Sequence, residues 1–264
     1  MDLRLTDKLA LVTGSTAGIG FAVAVGLARE GARVVLNGRD DARVAAACLR
    51  VREAVPGAQV EGIAADLGTA EDVAHVIAHY PEVDVLVNNL GIFEPKPFAE
   101  IDDAAWQRMF DVNVMSGVRL SRHYLPRMLA RNWGRVIFVS SESGANTPGE
   151  MVHYGMSKSA QLAVSRGMAE VTAGSAVTVN AVLPGPTFTE GVGDFFAKLA
   201  ADQGVNRAEA ERRFFAEARP TSLLKRFIEP AEVASLITYL CSPLAAATNG
   251  AALRVDGGIV RSIV

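Results

Sequence analysis

The chain has 264 residues, of which 50% are hydrophobic and 21% charged; a chain near this length buries roughly three quarters of its unfolded surface, which excludes intrinsic disorder and collagen-like repeats. Its 26 Lys and Arg against 29 Asp and Glu leave a net charge of −3 with the signs interspersed, so no basic field points to nucleic acid. Cys48 and Cys241 stand in no Cys-x-x-Cys or Cys/His cluster, so neither a disulfide framework nor a zinc site is indicated and two small core hydrophobes are predicted.

The N-terminus reaches a strand-like run by Leu9, leaving no room for the apolar region of a signal peptide. No stretch approaches the roughly 20 uninterrupted apolar residues of a membrane helix, so a cytoplasmic protein without a membrane partner is expected. Strands are predicted over 8–13, 33–37, 59–64, 83–88, 135–140, 177–183 and 251–256, alternating with helices over 18–29, 43–54, 69–79, 103–131, 152–172 and 230–241. That alternation predicts an α/β fold, a doubly wound Rossmann-like parallel sheet of about seven strands with helices on both faces. Val83-Asp84-Val85-Leu86-Val87 and Val136-Ile137-Phe138-Val139 are mostly apolar rather than alternating, as strands buried on both faces are. Gly31 closes the first helix, Thr69 with Asp72 suggests a capping box for the third, and Pro230 opens the last. With no internal repeat or low-complexity linker, residues 1–264 read as one domain. The rhythm breaks over 186–222, where no strand is predicted and Phe188, Phe195, Phe196, Phe214 and Phe215 fall; an insertion of that length predicts a helical cover over a substrate.

Between the first strand and the first helix lies Thr13-Gly14-Ser15-Thr16-Ala17-Gly18-Ile19-Gly20. Glycines there permit a tight bend and let backbone N–H groups approach a pyrophosphate at the positive end of the helix. The spacing is Gly-x-x-x-Gly-x-Gly with no Gly-Lys-Ser/Thr after it, which excludes a nucleoside-triphosphate P-loop and favours a dinucleotide. Tyr154 and Lys158, four apart in a helical segment, share a face, and a nearby ammonium lowers a tyrosine pKa that is otherwise about 10. Ser141 stands 154 − 141 = 13 residues upstream at the end of the fifth strand, where Ser140 should point to the opposite side. Gly-x-Ser-x-Gly is absent, which argues against hydrolase chemistry. His153, beside Tyr154, is expected to face substrate.

Asn88-Asn89-Leu90-Gly91 after the fourth strand, Asn113 in the next helix, Pro184-Gly185, and Val255-Asp256-Gly257-Gly258 near the end complete a set of motifs spanning nearly the whole chain. In these motifs, their order and their spacing, the chain resembles the short-chain dehydrogenase/reductase family. The resemblance implies an oxidoreductase that binds a nicotinamide dinucleotide across the carboxyl edge of the sheet. Gly14, Ser15, Ile19 and Gly20 would line the pyrophosphate, with Thr16 and Gly18 of the same loop also at the cofactor. Asp66 and Leu67 would meet the adenine, Asn88 and Gly91 would stand beside the adenosine ribose, and Pro184, Gly185 and Thr187 would wrap the nicotinamide side. The catalytic set implied is Tyr154 as general acid in carbonyl reduction and base in alcohol oxidation, Lys158 as its pKa tuner and ligand of the nicotinamide ribose, Ser141 as donor to the substrate oxygen, and Asn113 as holder of a proton-passing water.

Gly38 stands where the family places an acidic residue against a ribose 2′-hydroxyl, and Arg39 beside it offers a donor fork suited to a phosphate. NADP is therefore the preferred cofactor; Ala17, where many NADP-using relatives carry a basic residue, and the following Asp40-Asp41 leave NAD as the alternative. The substrate implied is a small carbonyl or secondary alcohol, within a family that reduces 3-oxoacyl thioesters, sugars, steroids and simple ketones. Leu90, which replaces the family's alanine, Phe93, Glu142, Thr147, Met151 and His153 are expected in the pocket wall. Relatives pack helices equivalent to 103–131 and 152–172, and the last strand, into dimers and tetramers, which implies a homo-oligomer. The alternative function is a catalytically silent dinucleotide-sensing regulator on the same fold; such proteins typically lack the tyrosine or the lysine, and both are here.

Overall fold

Strands that are apolar along their whole length need cover on both faces. In a computed structural model of the chain, which describes residues 2–202 and 204–263 apart from the side chains of Asp194, Phe195, Lys198, Leu199 and Asp202, that cover is supplied by helices. The strands are β1 (Leu9–Val12), β2 (Arg33–Gly38), β3 (Val60–Ala64), β4 (Val85–Asn88), β5 (Gly134–Val139), β6 (Val177–Pro184) and β7 (Ala252–Val255). They form one sheet in the order β3-β2-β1-β4-β5-β6-β7, with every neighbouring pair parallel. The helices are α1 (Gly18–Arg29), α2 (Asp41–Ala54), α3 (Ala70–His79), α4 (Asp103–Phe110), α5 (Ser116–Ala130), α6 (Val152–Val171), α7 (Glu190–Asp202), α8 (Arg207–Glu217) and α9 (Pro230–Leu240).

The two-residue period of each strand divides its side chains between two cores. Ala10, Val12, Ile137 and Val139 join Leu27 of α1 and Ile237 of α9 on one face. Leu11, Val136 and Phe138 join Leu120 and Tyr124 of α5 on the other. Cys48 and Cys241 are buried free thiols in the first core, as expected of small hydrophobes. Among the described residues no helix is long and apolar enough to cross a membrane.

Two local expectations are modified. The helix predicted over 103–131 is interrupted by a π-turn at Asp111–Met115, which carries Asn113. Thr69 caps α3 by accepting from Asp72 N at 3.2 Å, but the Asp72 carboxylate accepts from Asp66 N at 2.6 Å instead of completing a capping box. The segment 186–222 folds as α7 and α8 around a separate cluster of Phe196, Phe214, Phe215 and Phe227, with ring centroids 4.9 to 5.6 Å apart; the Phe195 side chain lies outside the described residues.

The strand order reverses between β1 and β4, and the loops that diverge there are tied together. Thr13 Oγ1 accepts from Asn89 N and Leu90 N at 2.9 Å each, while Asn89 Nδ2 donates to Thr13 O and Gly14 O at 2.9 and 3.0 Å. On the other side Asn37, buried at the end of β2, donates to Ile63 O and Ala65 O at 3.3 and 3.1 Å and accepts from Gly14 N at 3.2 Å. Replacing it leaves buried donors and acceptors unpaired, each costing about 1–3 kcal/mol. Asn37→Leu is expected to lose about 3 kcal/mol of stability and lower Tm by roughly 8 °C; calorimetry showing an unchanged Tm would refute this role.

Candidate active site

Ligands of doubly wound sheets sit outside the carboxyl ends of the strands where the order reverses. A cleft of about 570 Å³ opens there, floored by the glycine loop and the ends of β5 and β6 and roofed by α7 and α8. Of the residues singled out in the sequence, Gly18, Ile19, Gly91, Ser141, Tyr154, Lys158, Pro184, Gly185 and Thr187 line it.

The glycine loop needs left-handed backbone at two places, Gly14 (φ +59°) and Gly18 (φ +57°), which a side chain disfavours. α2, α3, α4 and α8 begin on side-chain caps from Asp40, Thr69, Asp102 and Asn206. α1 has none, and no acidic residue lies in its first turn. Its positive end therefore faces the cleft uncompensated, the arrangement that suits a bound anion. The loop's first residues serve the sheet instead. Ser15 is fully buried, its Oγ donates to Val12 O at 2.7 Å and accepts from Asn37 N at 3.0 Å, and its N–H donates to Asn37 O at 2.9 Å. The Ser15 hydroxyl is thus committed to β1 and β2 rather than pointed at a pyrophosphate. Gly20 is held against the Asn89 amide, and Thr16 fills the space where a Gly38 side chain would lie.

Arg39 is exposed at the end of β2, while Asp40 accepts from Arg43 N at 2.8 Å and Asp41 lies in the first turn of α2. The two carboxylates that follow the arginine thus belong to the helix start. Asp66 is half-buried, with its Oδ1 accepting from Gly68 N at 3.1 Å, and Leu67 is a fully buried member of the second core. Asn88 is buried away from the cleft; its amide donates to Ser121 Oγ at 3.2 Å and its Oδ1 has no partner among the described residues.

Ser140 and Ser141 diverge as the strand pleat requires. Ser140 Oγ reaches back to Lys158 O of α6 at 2.8 Å, and Ser141 Oγ faces the cleft, where it is hydrogen-bonded to Tyr154 and lies 2.5 Å from Glu142 Oε2. Tyr154 and Lys158 project from one face of α6. Lys158 is buried, donates to Val139 O at 2.9 Å and Gln161 Oε1 at 3.1 Å, and lies 5.6 Å from the centroid of the Tyr154 ring. Burial lowers the Lys158 ammonium to about 7. For Tyr154, burial and the Glu142 carboxylate raise the hydroxyl's pKa, opposed by the Ser141 hydrogen bond and Arg219.

The π-turn aims Asn113 inward. Its side chain pairs with Ile92 N and O at 2.8 and 2.9 Å and with Ser157 Oγ at 2.9 Å, and its main-chain carbonyl accepts from Gln161 Nε2 at 2.6 Å. The Gln161 amide thus links the Asn113 main-chain carbonyl to the Lys158 ammonium. Sequence reasoning missed Gln161, although its position three residues beyond Lys158 on one helix face was the available signal. It also missed Arg219, which lies buried beside Glu142 at the cleft wall.

Phe93, Glu142 and Met151 line the cleft as expected. Leu90 packs on the second core instead, and Thr147 is exposed. His153 does not face substrate either. It is fully buried, edge-on to Trp106 at 5.8 Å, and neither ring nitrogen has a partner among the described residues.

The description "short chain dehydrogenase" matches residues 8–200. The uncharacterized oxidoreductase YvaG of Bacillus subtilis is 49% identical over the full length of both chains. D-beta-hydroxybutyrate dehydrogenase of Cupriavidus necator is 32% identical, covering 97% of this chain and 99% of its own. The crystal structure of L-sorbose reductase from Gluconobacter frateurii, complexed with NADPH and L-sorbose, superposes over 100% of both chains with a TM-score of 0.93 at 31% identity.

Burial holds the His153 pKa below its ordinary 6.5, with Glu94 opposing and Lys96 reinforcing. The folded chain thus binds this proton less readily than the unfolded chain, so His153 contributes stability above the unfolded value that is lost as pH falls. His153→Leu is expected to flatten the loss of stability between about pH 7 and pH 5 while leaving kcat within about twofold, a smaller effect than loss of an acid/base group; a collapse of kcat with intact folding would return His153 to the site. On the match over residues 8–200 and the full-length relatives, the chain belongs to the short-chain dehydrogenase family and is an oxidoreductase.

Proposed function

We propose that the chain is an NADP-preferring dehydrogenase or reductase that moves a hydride between the nicotinamide and a small carbonyl or secondary alcohol. The observation that carries this reading is the convergence of Ser141 from the end of β5, Tyr154 and Lys158 from α6, and the uncapped start of α1 on one cleft. When bound, the dinucleotide supplies or accepts the hydride. The chain's own residues do the rest.

In reduction the Tyr154 hydroxyl donates its proton to the carbonyl oxygen as that oxygen gains charge; in oxidation its phenolate takes the proton back. Ser141 hydrogen-bonds the same oxygen and is strongest where the charge is largest. When protonated, Lys158 places positive charge behind Tyr154, favouring phenolate against the burial that opposes it. Asn113 and Gln161 fix the position of Lys158 from behind. The first-turn amides of α1 would hold the pyrophosphate, and Asp66, Gly91, Pro184, Gly185 and Thr187 would shape the remainder of the groove, while Leu67 and Asn88, buried in the fold, would support it from behind. Exposed Arg39, with no acidic side chain possible at Gly38, receives the 2′-phosphate. The NADPH in the L-sorbose reductase complex supports NADP, and the names of the sorbose and hydroxybutyrate relatives support a carbonyl/alcohol couple. We further propose that residues 1–264 form one catalytic domain, with α7 and α8 as its substrate cover. Exposed Leu223, Leu224 and Ile263 near the end of β7 support a homo-oligomer, dimer or tetramer.

Tyr154→Phe is expected to lower kcat about a thousandfold while leaving NADPH binding unchanged; turnover near the wild-type rate would overturn the assignment. Arg39→Ala is expected to reduce the ratio of NADPH to NADH affinity about tenfold; fluorescence titration giving an unchanged ratio would remove Arg39 from the cofactor site.

A further inference from the structure

The cleft wall opposite the glycine loop is mainly apolar, with Ile92, Phe93, Met151, Val192 and Phe214 among its lining, yet it contains an ion pair. Glu142 and Arg219 both border the cleft and have side chains only 6% and 10% exposed, with Arg219 Nε 3.3 Å from Glu142 Oε1. Removing two charges from water costs several kcal/mol per ion, which well-packed hydrophobic residues would avoid. Arg219 is offered from the chain just after α8, where it also contacts Glu150 Oε1 at 3.2 Å and Ala218 O at 2.8 Å.

Arg219 secures one oxygen of Glu142; the other, Oε2, is the acceptor 2.5 Å from Ser141 Oγ. A serine hydroxyl has one proton. While that proton points at the carboxylate, it points at neither Tyr154 nor a substrate carbonyl. A substrate that brings its own O–H to Glu142 Oε2 satisfies the carboxylate and frees the Ser141 proton for the carbonyl oxygen. Ser141 Oγ and Glu142 Oε2 are one hydrogen bond apart, the same spacing as two oxygens on neighbouring carbons. Charge points the same way. Two carboxylates, Glu142 and Glu150, share one guanidinium at this wall, leaving a net negative charge that repels a substrate carboxylate and accepts a hydroxyl.

Building on the functional reading above, we propose that Glu142, held by Arg219, is the specificity-determining residue of this site and selects uncharged carbonyls with a hydroxyl on the adjacent carbon. A plain ketone leaves the carboxylate competing for Ser141. A 2-keto acid meets the negative wall.

The test is kcat/KM with NADPH on two matched sets: 1-hydroxy-2-butanone, 2-butanone and 2-ketobutyrate, and 2-hydroxyacetophenone, acetophenone and phenylglyoxylate. The hydroxyketone should exceed its parent ketone by at least about tenfold in one set, as one well-made hydrogen bond allows, and the keto acid should rank last. Glu142→Gln should bring the hydroxyketone to parent ratio to within about threefold of one. Arg219→Gln should do the same, and Arg219→Lys, which keeps the charge, should retain most of the preference. A wild-type ratio near one, a ratio unchanged in Glu142→Gln, or a preference for the keto acid would overturn the inference while leaving the oxidoreductase reading intact. NADPH binding without consumption by any of the six carbonyls would overturn the functional reading and this inference with it.

Discussion

The site depends on the split in strand order between β1 and β4. Parallel strands on either side of that split send their following loops in opposite directions, which leaves a crevice at the carboxyl edge. β1 and β4 pair along their length, but beyond their carboxyl ends the two loops diverge and their backbone groups leave the ladder. Thr13 and Asn89 close the gap with hydrogen bonds across the split, and Asn37 secures the glycine loop from the other flank. The polar residues most deeply embedded in these loops therefore hold the crevice open in one shape. The ligand-facing groups are left to the start of α1 and to the ends of β5 and β6.

Within that crevice the electrostatics are arranged by what is left uncompensated. α1 has no acidic cap, so its positive end is available to an anion. Lys158 is buried among neutral acceptors rather than paired with a carboxylate, which lowers its pKa to about 7 and leaves its charge sensitive to what binds beside it. Glu142 and Arg219, by contrast, are paired with each other at the substrate wall. One end of the cleft therefore suits negative charge and the other suits hydrogen-bond donors. A hydride acceptor or donor lying across the crevice sees both.

Much of this was legible in the sequence. Apolar strand runs, the helical period between them and the placement of the glycine loop gave the parallel sheet, because burial on both faces leaves a composition that no surface strand shows. Tyr154, Lys158 and Ser141 were legible because one helix face and one strand end fix their directions. Contacts between residues distant in sequence were not. Asn37 looked like an ordinary strand end, Ser15 like a pyrophosphate ligand, and His153 like a substrate neighbour; only the packing of β2 on the glycine loop and of Trp106 on α6 turns those side chains inward. The π-turn at Asn113 adds one residue to a helical turn without any proline or glycine to announce it. Arg219 comes from an insertion whose fold is set by its own phenylalanine cluster, so no spacing from Glu142 forecast their contact.

The most direct test of the account is to give the purified protein NADPH carrying deuterium at the transferable position of its nicotinamide, together with a panel of carbonyls, and follow both nicotinamide absorbance and product mass. NADPH should be consumed with at least one carbonyl, with one deuterium appearing on the new alcohol carbon for each NADPH oxidised. NADPH that binds and is never consumed, or an alcohol product without the label, would contradict it.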